Sequence, residues 1–221
     1  MTGLAEWKRS TRPALGKSAA KRAIDISLSL ALIIILAPLL LFLCFLVRAT
    51  SAGPALLRQE RLGKNMRPFT MLKLRTMYAD NDDQVHREYI THMLSVDQHG
   101  AGQNGLFKLD SDPRVTPLGM WLRRSSADEF PQLFNVLRGD MSLVGPRPVL
   151  PWEAQLFSAA YQQRFRVKPG ITGLWQVSGR SRLSMRQALE LDVEYALRPS
   201  IMLDLLIILR TVPAILRGGA R

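Results

Sequence analysis

Two adjacent carboxylates, Asp128 and Glu129, stand in the most chemically loaded stretch of the sequence, DPRVTPLGMWLRRSSADEFPQLFNVLRGDMSLVGPRP from Asp112 to Pro148. Arg123, Arg124, Arg138 and Arg147 share 25 residues with them and with Asp140. A carboxylate can attack phosphorus once arginines neutralise an incoming diphosphate, and a neighbouring acid can hold a divalent cation, which for a diphosphate substrate is Mg²⁺. Ser126 or Asp128 suits the N-cap of a helix, Pro131 fits its first turn, Leu133, Phe134, Val136 and Leu137 supply a buried face, and Gly139 is a natural stop. A helix N-terminus there would favour both a carboxylate and a phosphoryl oxygen. A plainer arrangement meets the same spacing: Asp128 caps the helix and Glu129 pairs with Arg124 on the surface. Spacing leaves both open.

Two further segments carry chemistry. In SLVGPRP (142–148), prolines on either side of Arg147 restrict the backbone around one guanidinium, which suits bidentate phosphate recognition; an exposed arginine in a Pro-rich turn fits equally. KPGITGLWQVSGR (168–180) offers Lys168, three glycines, Trp175 and Arg180. It reads either as a binding loop or as a Gly turn into a strand, and it matches neither a Walker A loop nor a dinucleotide GxGxxG. His86, His92 and His99 lie in a polar stretch without metal-ligand spacing and read as surface histidines. Cys44 is the one cysteine of the chain, which excludes a disulfide framework and a Cys-rich zinc site.

These residues need a scaffold, and the composition constrains it. In 221 residues the chain carries 30 Lys+Arg against 18 Asp+Glu, a net charge of +12, beside 47% hydrophobic residues and a mean hydropathy of +0.02. That apolar content excludes a disordered chain. The charge admits nucleic acid, an anionic lipid surface or a phosphorylated small molecule as partner. Nucleic acid is disfavoured, because aromatics are not interleaved with the basic residues and no recognised binding motif is present.

From Ile26 to Val47 no charge occurs. A straight helix of that length covers ~33 Å, against a bilayer core of ~30 Å. Pro38 should kink or break it near the middle. The first 25 residues hold six basic and two acidic side chains, and the remainder holds 24 and 16. A simple span would carry one cationic flank across the membrane, so a re-entrant hairpin is favoured over a kinked single span.

The rest reads as one mixed α/β, mainly helical catalytic domain over 49–221, with a flexible basic tail over 1–20, the membrane helix over 21–48 and a polar insertion near 79–108. FTMLKLRTM (69–77) alternates as a strand that would put Lys73 and Arg75 on one face. Residues 183–197 form a helix with Leu183, Ala188, Leu191 and Tyr195 along one side, and Pro199 ends it. The apolar run 201–216 reads as an interfacial helix whose Asp204 and Arg210 lie together at the polar boundary.

KRAID (21–25), the proline-broken apolar segment, GPALLRQERLG (53–63), FTMLKLRTM, DPRVTPLG, SADEFPQLFNVLRGDMSLVGPRP and KPGITGLWQVSGR together resemble the bacterial sugar transferases, the monotopic phosphoglycosyl transferases, in order from Lys21 to about Arg217. The resemblance implies transfer of a sugar 1-phosphate from a UDP-sugar to undecaprenyl phosphate, giving undecaprenyl diphosphate sugar and UMP, as the first membrane step of exopolysaccharide or related glycan assembly. It implies Asp128 as nucleophile through a phosphosugar-aspartyl intermediate, Glu129 as its partner holding Mg²⁺ with it, and Arg147 on a phosphate. Lys73, Arg123, Arg138 and Asp140 fall in motif segments with nucleotide-binding or structural roles, and Asp192 and Asp204 at the family's acidic C-terminal positions have supporting ones.

The resemblance further implies a re-entrant helix and a catalytic domain on the cytoplasmic face of the bacterial inner membrane, in contact with its lipids, with homo-oligomerisation left open. Glucose or galactose is the expected sugar, by likeness to compact exopolysaccharide-initiating members, with N-acetylated sugars as the alternative. Hydroxyl discrimination rests on pocket hydrogen bonds that no motif encodes. The chain departs from the family pattern at Ala37, where a serine commonly precedes the proline, at Ala127 and Phe130 beside the acidic pair, and in KLRTM for the frequent KFRSM. Two other readings compete: a membrane-anchored basic protein that binds nucleic acid or lipid, and an inactive scaffold, against which the intact acidic pair argues.

Overall fold

The computed structural model describes residues 15–78, 84–95, 112–179 and 183–218. Most of the segment read as a tail, the ends of the polar insertion, His99 and Arg180 lie outside the described residues. The chain runs α1 (Leu15–Thr50), β1 (Leu56–Leu62), β2 (Pro68–Leu74), α2 (Gln84–Ser95), α3 (Pro117–Ser125), a 3-10 turn (Ala127–Glu129), α4 (Gln132–Arg138), β3 (Ser142–Val144), α5 (Pro151–Gln155), a 3-10 segment (Tyr161–Arg166), β4 (Gly170–Thr172), α6 (Leu174–Ser178), α7 (Met185–Leu197) and α8 (Ile201–Gly218). This is the mainly helical α/β architecture expected. β1 and β2 pair antiparallel, with Gln59 opposite Met71 and Leu57 opposite Lys73, while β3 and β4 pair parallel.

α1 is one helix with Pro38 inside it, so of the kink or break expected at the proline, the helix shows no break in its run. Proline forgoes one backbone N–H and crowds one carbonyl, but among apolar side chains the remaining bonds have no water to compete with them and the helix continues. Among the described residues it is the one helix long and apolar enough to cross a membrane.

Both ends of α1 are tied to the rest of the molecule. At the first end Lys21 Nζ donates to Asp204 Oδ2 at 2.7 Å and to the Val144 carbonyl at 3.2 Å. Arg22 donates to the Val136 and Leu137 carbonyls, the end of α4 where a cation is favoured. Asp25, 4% exposed, accepts from Ser142 Oγ and Leu143 N–H, each at 3.0 Å. At the other end Arg75 donates to the carbonyls of Ser51 and Ala52 and to Ser51 Oγ. Leu28, Leu32, Ile33 and Leu36 pack on the core made by α4, β3, α7 and α8, and Leu43 and Val47 join Leu74, Leu122 and Ala127 in another cluster. One side of the helix is left bare, with Ile34 66%, Ile35 71%, Leu41 72% and Phe45 66% exposed.

Two expectations change here. Arg75 lies just past β2 and turns to α1, so it does not share a face with Lys73. Asp204 is buried in α8 between Lys21 and the Tyr195 hydroxyl at 2.6 Å, not at a polar boundary with Arg210, because a carboxylate inside an apolar helix is held where it finds a cation and a donor.

Removing the Asp25 carboxylate leaves the buried Leu143 N–H without its acceptor. Asp25→Ala is expected to lower unfolding stability by about 2–3 kcal/mol, read by denaturant unfolding in detergent, whereas Asp25→Asn, which keeps an acceptor, should lose less than half of that.

Candidate active site

The β1–β2 hairpin turns one face to a cleft. Gln59 and Arg61 on β1 and Met71 and Lys73 on β2 alternate with residues pointing away, and all four line it. On the opposite wall α3 begins at Thr116, whose hydroxyl caps the Gly119 N–H at 2.9 Å with Pro117 in the first turn. Gly119 has to be glycine: a Cβ there would stand 2.0 Å from the Thr76 carbonyl oxygen. That close approach lets Arg123 Nε donate to Thr76 Oγ1 at 2.9 Å and brings its guanidinium to the cleft. Ser126, in the left-handed region at φ 58°, ends α3 and turns the chain into the 3-10 turn that carries Asp128 and Glu129.

The acidic pair therefore precedes α4 without capping it. The N-cap of α4 is Pro131, and the helix has seven residues, so both the helix-terminus placement and the plain capping role for Asp128 give way to a turn wedged between two helices. Asp128 is 4% exposed, and its Oδ1 is buried with no hydrogen-bond partner. A buried carboxylate oxygen without a donor is costly. Here the charges of Arg123 and Lys73 face it.

Lys73 is the most perturbed cation of the cleft. Burial first, then repulsion from Arg61, Arg123 and Arg147, bring its pKa down to about 7, with Asp128 pulling the other way. Arg147 reaches the cleft from the strap after β3. A second corner is built on Glu153, 3% exposed, which accepts the Leu150 N–H at 2.7 Å and faces Arg61 at 3.6 Å and His86 at 3.8 Å. Burial disfavours its charge, but His86, Arg61 and the Leu150 N–H outweigh it and hold the carboxyl below the ordinary glutamate value. Arg114 completes the wall, gripped bidentately by Asp112 with two bonds of 2.8 Å.

Five basic side chains (Arg61, Lys73, Arg114, Arg123 and Arg147) thus surround two adjacent carboxylates, one of which presents an unpartnered oxygen. Such a site can receive a diphosphate and offer it a carboxylate nucleophile. Among the described residues no three His, Cys, Asp or Glu side chains converge as a metal cage. The oxygen-only donors Asp128 and Glu129 still suit Mg²⁺, which is commonly held by one or two carboxylates together with substrate phosphates.

The family model for bacterial sugar transferases matches residues 16–218. The chain belongs to the bacterial sugar transferase family. It is 39% identical over 195 residues to the "Exopolysaccharide production protein ExoY" of Sinorhizobium fredii, covering 88% of this chain and 84% of that one. It is 41% identical to the "UDP-glucose:undecaprenyl-phosphate glucose-1-phosphate transferase" of Caulobacter vibrioides, covering 89% and 69%. It is 43% identical to the "Undecaprenyl-phosphate glucose phosphotransferase" of Komagataeibacter xylinus, covering 87% of this chain but 35% of that longer protein.

In this sugar transferase Asp128, Glu129, Lys73, Arg123 and Arg147 line one cleft. Arg138 does not: it is exposed at the far end of α4. Asp140 accepts from Asn135 Nδ2 at 3.3 Å beneath the β hairpin, a structural position. Asp192 and Asp204 are buried away from the cleft, paired with Arg164 and Lys21. His86 departs from the surface reading, lying at the cleft with its ring edge-on to Trp152. Arg61, Arg114, His86 and Glu153 were not anticipated. Gln59 and Arg61 alternate in RQER and Arg114 sits in DPRVTPLG, which are signals of a kind. Glu153 and His86 carry none.

Proposed function

We propose that the protein transfers a sugar 1-phosphate, from UDP-glucose or UDP-galactose, to undecaprenyl phosphate, releasing UMP. The observation that carries this reading is the buried Asp128, with an oxygen free of hydrogen bonds, in a cleft of basic side chains on a chain of this family. The names of relatives from Caulobacter and Komagataeibacter, with glucose as the sugar and undecaprenyl phosphate as the acceptor, support the substrates. A Salmonella typhimurium relative named for galactose keeps that donor in view.

Asp128 attacks the phosphorus that bears the sugar. A new P–O bond forms to the carboxylate, the bond to the bridging oxygen breaks, and UMP leaves with that oxygen. A phosphate oxygen of the lipid acceptor then attacks the same phosphorus, the aspartyl bond breaks, and the diphosphate product leaves with Asp128 restored. Lys73, Arg123 and Arg147 offset the charge of the two phosphates. Mg²⁺, held by Glu129 with Asp128, would supply further neutralisation of the diphosphate. The test is UMP release by detergent-solubilised protein with Mg²⁺ and undecaprenyl phosphate across a panel of UDP-sugars. Turnover restricted to an N-acetylated sugar would replace the donor, and silence across the panel would remove the reaction.

The helix in this reading enters and leaves the membrane on the cytoplasmic face. Both of its ends are bonded to the same domain, Lys21 and Asp25 at one and Ser51 at the other, which a helix with its ends in two compartments could not satisfy without burying that domain. The exposed Met202, Leu209 and Val212 of α8 suit an interfacial position beside it. In a Cys44→Ala background, Ala20→Cys and Ala52→Cys should both react with an impermeant thiol reagent in inside-out vesicles and neither in spheroplasts. Labelling of one site from each side would establish a span instead.

A further inference from the structure

We propose that Arg164 and Asp192 form a buried clamp that sets the Arg147 guanidinium in the cleft, making them positioning residues for the diphosphate. Arg164 Nη2 donates to the Arg147 carbonyl at 2.7 Å and to Asp192 Oδ2 at 2.5 Å. The Arg147 backbone N–H faces the same carboxylate and favours its charge. One ion pair therefore grips the Arg147 carbonyl and lies against the N–H of the same residue.

The local chain explains why this matters. Residues 142–150 are buried except for Arg147. Pro146 and Pro148 have no N–H, so in Pro146-Arg147-Pro148 the Arg147 N–H is the single backbone donor, and it faces Asp192. The neighbouring carbonyls are occupied as well: Pro146 accepts from Gly170 N–H at 2.9 Å and Val149 from Leu62 N–H at 2.9 Å. With both neighbouring units pinned, the direction of the Arg147 side chain follows from how its own peptide is held.

The means chosen is expensive. Arg164 is 1% exposed and Asp192 2%, and Arg164 Nε, Arg164 Nη1 and Asp192 Oδ1 have no hydrogen-bond partner. The guanidinium rests against the faces of Phe157 and Phe165 at 5.3 and 5.8 Å. A buried pair with unsatisfied atoms is a poor source of stability, and an apolar pair of the same size is often as stable or more so. What an apolar pair cannot do is grip the Arg147 peptide.

This inference rests on the diphosphate reading of the cleft, and the test separates the two. Wild type, Arg164→Met, Arg164→Lys, the double variant Arg164→Met/Asp192→Leu, Arg147→Ala and Arg147→Ala combined with that double variant are compared in UDP binding by titration, kcat/KM for the donor, and Tm. The double variant should melt at or above the wild-type temperature while UDP binding and kcat/KM fall on the order of 100-fold, the cost of a misplaced contact. The loss should appear mainly in KM, Arg164→Lys should recover part of it, and the Arg147→Ala background should abolish it. An effect of equal size with and without Arg147, or a folded double variant with unchanged UDP affinity, overturns the clamp. UDP binding with this coupling but no transfer of any sugar would uphold the clamp and remove the reaction; a wild type that binds no UDP would remove both.

Discussion

Asp128→Asn is expected to reduce UMP release on the order of 10⁴-fold or more, the scale seen when a nucleophile is removed from a preorganised site. Asparagine keeps the size of the side chain and its buried place in the 3-10 turn, so the fold should persist. UDP should bind at least as tightly as to the wild type, because an anion facing the incoming diphosphate has gone while Lys73, Arg123 and Arg147 remain. The split between intact binding and lost turnover separates a nucleophile from a residue that merely holds the site together. Residual turnover within tenfold of wild type would remove Asp128 from the covalent step. Weakened UDP binding would instead make it a scaffold for the cations around it.

The alternation of FTMLKLRTM was enough to place Lys73 on a strand face, because strand period is a local property. The register was not local, and so neither was the meeting of Lys73 with Arg123, which depends on Gly119 lying against Thr76. The DE pair is legible as chemistry but its setting is not: Ser126 takes a left-handed conformation that favours glycine, and it turns the chain before α4 begins. Pro38 signals a kink or a break, and the helix runs on through it. Nothing local to Asp204 tells a buried pair from a polar boundary, since its partner Lys21 lies 183 residues away. The polar look of 79–108 concealed Ile90 and Met93, which are buried in the core with α7. That docking is what carries His86 to Glu153, a contact no spacing rule could anticipate.

Lys73→Met should make the protein a poorer enzyme and a more stable one. The Lys73 ammonium is held at a pKa of about 7 by burial and by Arg61, so below pH 7 the folded state keeps a cation in a place that disfavours it. The unfolded chain keeps that proton up to the free lysine value of 10.5. Between about 7 and 10.5 the unfolded state holds more protons, and this group makes stability rise with pH; below about 7 its full cost is present. Methionine removes the cost, so Tm should rise at pH 6, by about 2–4 °C for each kcal/mol recovered, and the advantage should vanish as pH approaches 10. Donor kcat/KM should fall on the order of 100-fold at pH 6, where a cation aimed at the diphosphate is lost. The wild-type profile should decline as pH passes through about 7 and the lysine discharges, and the variant should lack that limb. A variant that is less stable at pH 6, or that keeps the limb, would mean that Lys73 is paired in the folded protein and does not wait charged for a phosphate. The stability surrendered at this lysine and the electrostatic help given to the transfer would then have separate origins, whereas the cleft as built gives them one: cations crowded together until an anionic substrate relieves them.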